Sequence, residues 1–150
     1  MYIGGNMKVL FLDFDGVLNP YGYKTEGATF SKMACKNLNL LLKKVPELKI
    51  VVSSSWRIHG LHAVRDILKS NGIDPKRVID ITGDEKGIRG NQIKAWLDRH
   101  KNVNNFVILD DNSDMGELTP RLVKTNGFIG LTQNEVNKIV ELLYKYDKMN

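Results

Sequence analysis

Cysteine is nearly absent from this chain of 150 residues: Cys35 stands alone, so no disulfide can close within it. It falls among apolar positions of an expected helix and reads as a packed thiol in a reducing compartment. No apolar stretch approaches the length of a membrane span. The opening Met1-Tyr2-Ile3-Gly4-Gly5-Asn6 has neither the basic start nor the apolar run of a signal peptide. A cytoplasmic protein with no membrane partner is therefore expected. Internal repeats, low-complexity tracts and linkers are also missing, as is the arginine-rich tail of many nucleic-acid binders. What is present suits one domain over residues 1–150. A hydrophobic share of 42% is enough to bury a core without metal or disulfide staples. The net charge of +5 mildly favours anionic partners such as nucleic acid or phosphorylated molecules.

The most informative stretch is Val9-Leu10-Phe11-Leu12-Asp13-Phe14-Asp15-Gly16. An uninterrupted apolar run suits a strand covered on both faces, in the middle of a parallel sheet. Residues two apart in a strand point to the same side, so Asp13 and Asp15 are expected to leave the sheet edge together. Carboxylates this close do not both stay ionised unless a cation sits between them or one holds a proton. Both outcomes are useful to chemistry, since Mg2+ favours a carboxylate or two plus substrate phosphate, and a protonated acid can serve a leaving group. A calcium loop fits poorly, because the twelfth position from Asp13 is Lys24, where a bidentate Glu is needed.

Turn formers from Asn19 to about residue 30 predict a loop or flap over the carboxylates. Ser31 is placed to cap a helix with Met33, Leu38, Leu41, Leu42 and Val45 inward, stopped at Pro46. Leu48–Val52 reads as a second strand, ending in Ser53-Ser54-Ser55-Trp56-Arg57. A helix with Leu61, Val64, Ile67 and Leu68 inward follows and closes at Asn71-Gly72. Val78–Ile81 is a third strand, and Ile93, Trp96 and Leu97 mark a third helix. Phe106–Leu109 is a fourth strand, ending in Asp110-Asp111-Asn112-Ser113-Asp114. Leu122–Thr125 reads as an edge strand. Thr132 and Glu135 form a capping box ahead of a helix with Val136, Ile139, Val140 and Leu143 inward. Alternating strands and helices predict an α/β, Rossmann-like, doubly wound parallel sheet in three layers, with any ligand at the carboxyl ends of the strands.

The order Asp13-Phe14-Asp15-Gly16-Val17-Leu18, a serine cluster after the second strand, a basic residue near Arg89, and Val107-Ile108-Leu109-Asp110-Asp111 resembles the haloacid dehalogenase (HAD) superfamily of phosphohydrolases over nearly the whole chain. The resemblance implies Asp13 as nucleophile, forming an aspartyl-phosphate, and Asp15 as general acid and base. It also implies Mg2+ held by the Asp13 carboxylate, the backbone carbonyl of Asp15, and Asp110, with Asp111 or Asp114 in support. The need for a cation is physical. An anionic nucleophile meeting a phosphate oxygen at ~4 Å faces roughly 4 kcal/mol of repulsion per charge pair at an effective dielectric near 20.

Ser54, by its place after the apolar strand, is the first choice for binding phosphate oxygens and Ser53 the second, while Ser55 is as well suited to capping the next helix. The family's basic residue is normally a lysine, and Arg89 stands in its place. An arginine can act as a forked phosphate donor, though Lys86 or Lys94 is open for the same role. Arg57 and Trp56 are candidates to clamp or stack on a substrate, with core packing the plainer reading for Trp56. Tyr21 and Tyr23 lie in the flap, and His59 and His62 lack a third ligand and read as surface residues. The intervals Asp15–Ser54 and Ser54–Arg89 leave no room for an inserted cap domain. The resemblance then implies an open site for large phosphorylated substrates, and the Ser-Ser-Trp-Arg run is similar to phosphatase domains of RNA end-repair proteins. The rival of another class is a non-catalytic, receiver-like module for metal or phosphate. A receiver needs no second acid such as Asp15.

Overall fold

The computed structural model describes residues 7–22 and 29–149. Tyr23 and most of the predicted flap fall outside them.

Five strands form one parallel sheet: β1 (Met7–Leu12), β2 (Leu48–Val52), β3 (Val78–Ile81), β4 (Val103–Asp110) and β5 (Leu122–Lys124), in the order β3-β2-β1-β4-β5. The central run Val9–Leu12 is fully buried, as its lack of alternation requires. Helices α1 (Lys32–Lys44), α2 (Leu61–Ser70) and α4 (Gln133–Met149) cover one face, where Leu10, Leu12, Ile50 and Val52 meet Leu38, Leu41, Val64, Leu68, Val136 and Ile139. Helix α3 (Arg89–Asp98) covers the other, where Val9, Phe11, Val51 and Ile108 meet Ile93 and Trp96. The predicted three-layer, doubly wound architecture is the one observed.

Local chemistry sets the helix starts. The Ser31 hydroxyl accepts the Ala34 N–H at 3.2 Å, and Glu135 reaches back to the Thr132 N–H at 2.8 Å. Met33 departs from expectation and is exposed at 65%. It lies about 140° around α1 from Leu38, outside the stripe that faces the sheet. Cys35 is buried and unpaired, and burial pushes its thiol up to about 11. The segment after β2 also departs from the prediction, because a 3-10 turn (Ser55–His59) precedes α2.

Strand order reverses direction between β1 and β4. That is the switch point of a doubly wound sheet, where the loops diverge and leave a crevice at the carboxyl edge. The backbone ladders run one residue past the apolar strands there: the Asp13 N–H donates to the Leu109 carbonyl, the Ser53 N–H to Leu12 and the Thr82 N–H to Val52. With Leu12 opposite both Val52 and Leu109, and Val52 opposite Ile81, the next residues fall into a polar row, Thr82–Ser53–Asp13–Asp110. Their side chains share the α3 face, two residues on from Phe11, Val51 and Ile108.

Candidate active site

Asp13 and Asp110 stand side by side in this row, both buried. Asp111 turns in beside them, and the three offer carboxylate oxygens within 4.8 Å of one another. The Asp111 carboxylate approaches Gly16 so closely that a Cβ there would collide with it, and the positive φ of 83° at Gly16 also excludes a side chain. The glycine after Asp15 thus serves the turn and the packing of the third acid. Burial and the neighbouring Asp110 push Asp13 up to about 9, although Arg89 pulls the other way. Asp111 is raised by burial first and then by Asp110. The Oδ1 atom of Asp111 is buried and accepts no hydrogen bond among the described residues.

Arg89 faces the acids. Its Nη1 lies 2.7 Å from Asp110 Oδ2 and 3.2 Å from Asp13 Oδ1. Burial lowers its pKa, but Asp13 and Asp110 outweigh that and the net shift is upward. It opens α3, whose axis is anchored by Ile93 and Trp96 in the core and by the Trp96 indole N–H donating to Asp80 Oδ2 at 2.8 Å. Asp114 braces the same helix start: its Oδ2 accepts the Arg89 N–H at 3.3 Å and its carbonyl the Gly90 N–H at 3.1 Å. Asp114 lies outside the carboxylate trio.

Asp15 sits apart from the trio. The Trp56 indole N–H donates to its Oδ2 at 3.1 Å and the Asn19 amide to its Oδ1 at 3.0 Å. Trp56 is held edge-on against Phe14 and Phe30, with centroids 6.0 and 5.6 Å away. One side chain thus combines core packing with a hydrogen bond to Asp15.

The remaining predicted residues divide. Ser53 is brought into the row beside Asp13, and its buried Oγ has no hydrogen-bond partner among the described residues. Ser54, the first choice from sequence, accepts the Trp56 N–H at 3.2 Å and caps the 3-10 turn. The register puts Ser53, the second choice from sequence, beside Asp13, and Ser54 rather than Ser55 caps the turn. Ser55 itself is exposed. Arg57 spans two loops, donating from Nε to the Gly83 carbonyl at 3.1 Å and from Nη1 to the Ser54 carbonyl at 3.2 Å. Lys94 is not brought to the acids. It lies off the Arg89–Ile93–Trp96 face of α3, and its ammonium pairs with Glu117 at 2.7 Å. Lys86 is exposed. His62 pairs with Asp66 on the surface, and His59 packs beside Trp56.

Sequence reasoning missed the holding of Asp15 by Asn19 and Trp56, and it passed over Thr82. Thr82 Oγ1 is buried at the end of the row with no hydrogen-bond partner among the described residues. It directly follows the last strand residue, Ile81, as Asp13 follows Leu12 and Ser53 follows Val52, but Asp80 within that strand breaks the apolar run that would have marked it. Tyr21 reaches the rim, where burial and then the Asp111 charge raise its pKa.

Residues 9–136 match the family model described as the HAD domain in Swiss Army Knife RNA repair proteins. No curated protein matches the chain.

Proposed function

Because the chain belongs to this family of HAD domains, a phosphatase-like one, we propose that it is a Mg2+-dependent phosphomonoesterase acting on phosphorylated nucleic-acid ends or nucleotides. The observation that carries this reading is the acidic trio with Arg89 set against it. One guanidinium cannot neutralise three gathered carboxylates; burial first, and then the Asp110 charge, raise the pKa of Asp13 against the pull of Arg89. The donor set is all oxygen, and one oxygen of Asp111 is buried with nothing to accept from. Such a site fits a hard divalent cation. The carboxylates of Asp13, Asp110 and Asp111 would hold it, with the backbone carbonyl of Asp15. Bound there, Mg2+ supplies positive charge to a phosphate that the acids would otherwise repel.

The chain's own groups then have distinct work. An Asp13 carboxylate oxygen forms a bond to phosphorus as the bond to the leaving oxygen breaks, giving an aspartyl-phosphate. Asp15, its carboxyl plane fixed by Trp56 and Asn19, gives its proton to the departing oxygen. It then takes a proton from the water that attacks the aspartyl-phosphate, and Asp13 and inorganic phosphate are released. Arg89 steadies the charge on Asp13 and, with the Ser53 hydroxyl, would donate to phosphate oxygens. Thr82 extends the row of hydroxyls beyond Ser53.

The family's description speaks of RNA repair proteins, and two features here agree with a polynucleotide substrate. No cap domain is seen over the acids among the described residues. A groove of about 460 Å3 beside β5 carries Lys124, Lys138 and Lys145 together with Glu141 and an apolar floor of Leu122, Val123 and Leu142, and Lys124 lies opposite Asp110 in the register. The buried free thiol of Cys35 suits a reducing, cytoplasmic setting; no helix among the described residues is long and apolar enough to cross a membrane.

Phosphate release from 3′- and 5′-phosphorylated oligonucleotides, mononucleotides and an aryl phosphate, each with and without Mg2+, tests the proposal. Multiple turnovers that require Mg2+ and disappear in Asp13→Asn are expected. Absence of turnover on every substrate sinks the enzyme reading.

A further inference from the structure

Seven large hydrophobic side chains are exposed among the described residues, and five of them lie on connections at the carboxyl edge of the sheet: Tyr21, Ile58, Ile88, Phe128 and Ile129. Single exposed apolar residues are ordinary, but their concentration around one crevice is not. Phe128 is the most exposed aromatic, at 71%. From this we propose that Phe128, braced by Tyr21, is a stacking platform for the nucleobase next to the phosphate being removed. The identity of the occupant rests on the phosphatase reading above.

The loop that carries Phe128 is firmly built. Asn126 Oδ1 accepts the Phe128 N–H at 3.0 Å, and the Asn126 carbonyl accepts the N–H groups of Ile129 and Gly130 at 3.0 and 2.8 Å. The turn is then stitched to the chain following Asp15. The Tyr21 N–H donates to the Gly127 carbonyl at 2.8 Å, the Gly22 N–H to the Phe128 carbonyl at 3.3 Å, and the Leu131 N–H to the Val17 carbonyl at 2.9 Å. The Thr125 hydroxyl donates to the Gly16 carbonyl at 2.7 Å. The apolar side chain is therefore held out in water by an ordered frame.

The frame also places it next to the chemistry. A Cβ on Gly127 would lie 2.8 Å from Asp111 Oδ2 and 2.9 Å from the Tyr21 ring, so the loop passes against the third acid with room for no side chain there. Phe128 is the next residue, one Cα step of about 3.8 Å onward. Tyr21 meets it edge to face, with centroids 5.9 Å apart and planes at 69°, a preferred geometry for aromatic pairs. A phosphate monoester engaged at Asp13 would reach this rim with its leaving group if it leaves on the Asp111–Gly127 side, and a planar base is what an exposed aromatic platform binds. Every base has a π-face, so the platform tolerates all four, consistent with trimming ends of any sequence. A protein surface covering the same collar is the competing occupant.

The test uses full-length chain carrying Asp13→Asn, so that ligand is not consumed, and a phosphorylated oligonucleotide whose terminal base is 2-aminopurine, a fluorophore quenched on stacking. Binding is expected to quench it. Adding Phe128→Ala should abolish most of the quench and lower the ratio of affinities for base-bearing over abasic ends about tenfold, while Phe128→Trp should restore both. Binding without quench overturns the proposal, as does an equal loss for base-bearing and abasic ends, or no binding of any oligonucleotide, which would favour a protein partner on the collar. Quench and selectivity for Phe128 with no phosphate release by the unsubstituted chain would leave the platform standing and remove the phosphatase reading.

Discussion

The two sides of the loop after β1 treat their acids in opposite ways. Asp13 is buried among Asp110 and Asp111 with one guanidinium to offset them. Asp15, two residues on, is half-buried and meets neutral donors, the Trp56 indole and the Asn19 amide. A site that gathers negative charge is suited to a cation and to nucleophilic attack, and a site that fixes one carboxyl by neutral hydrogen bonds is suited to moving a proton. On the proposed phosphatase reading, environments of different kind around two like residues would divide the labour between them.

The harshest way to break the comparison is Asp13→Asn. Turnover is expected to fall by at least about a thousandfold, and the rise in Tm on adding Mg2+ should shrink with it. Asp15→Asn should cost about 10^2 to 10^4 in rate and keep the Mg2+-dependent rise in Tm. If both variants lose that rise equally, the acids do not differ as described. Phosphate release and thermal melts read both.

A finer cut is Trp56→Phe, which keeps a ring against Phe14 and Phe30 and removes the donor to Asp15. A fall of about tenfold in kcat, larger than any change in KM, is expected for nucleotide substrates. The loss should be much smaller for p-nitrophenyl phosphate, whose leaving oxygen needs little protonation. An equal loss on both would make Trp56 a packing residue only.

The smallest effect concerns stability. Without metal, folded Asp13 has its pKa raised from 3.8 to about 9. The folded chain then holds a proton the unfolded chain has lost, so this group's contribution to stability falls as pH rises through that window. The Mg2+-induced rise in Tm should accordingly be several degrees larger at pH 8 than at pH 5. Asp13→Asn should flatten the metal-free profile; a profile as steep as before would locate the imbalance elsewhere.

Local patterns in the sequence were sufficient for most of the fold. Continuous apolar runs marked β1, β4 and the Ile50–Val52 end of β2, and capping chemistry marked the starts of α1 and α4. Asp13 and Asp110 were legible because each directly follows an apolar run, with Asp15 and Asp111 close behind them, and Arg89 because it opens a helix. What was not legible depends on pairing at a distance. Three serines in a row look alike until the register sets Leu12 opposite Val52, which puts Ser53 beside Asp13 and leaves Ser54 to cap a turn. The part played by Trp56 depends on a 3-10 turn of five residues, too short to print a period in the sequence. Lys94 was indistinguishable from a site residue until the face of α3 was known.

The stitching between the Asn126–Leu131 turn and the stretch Val17–Gly22 is almost wholly main chain to main chain. Every residue type except proline brings the same N–H and carbonyl groups to such bonds. Positions 21, 128 and 129 can therefore be varied as a combinatorial library without unfastening the mouth, and on the proposed phosphatase reading the leaving alcohol would become a property to be re-specified separately from the acids beneath it.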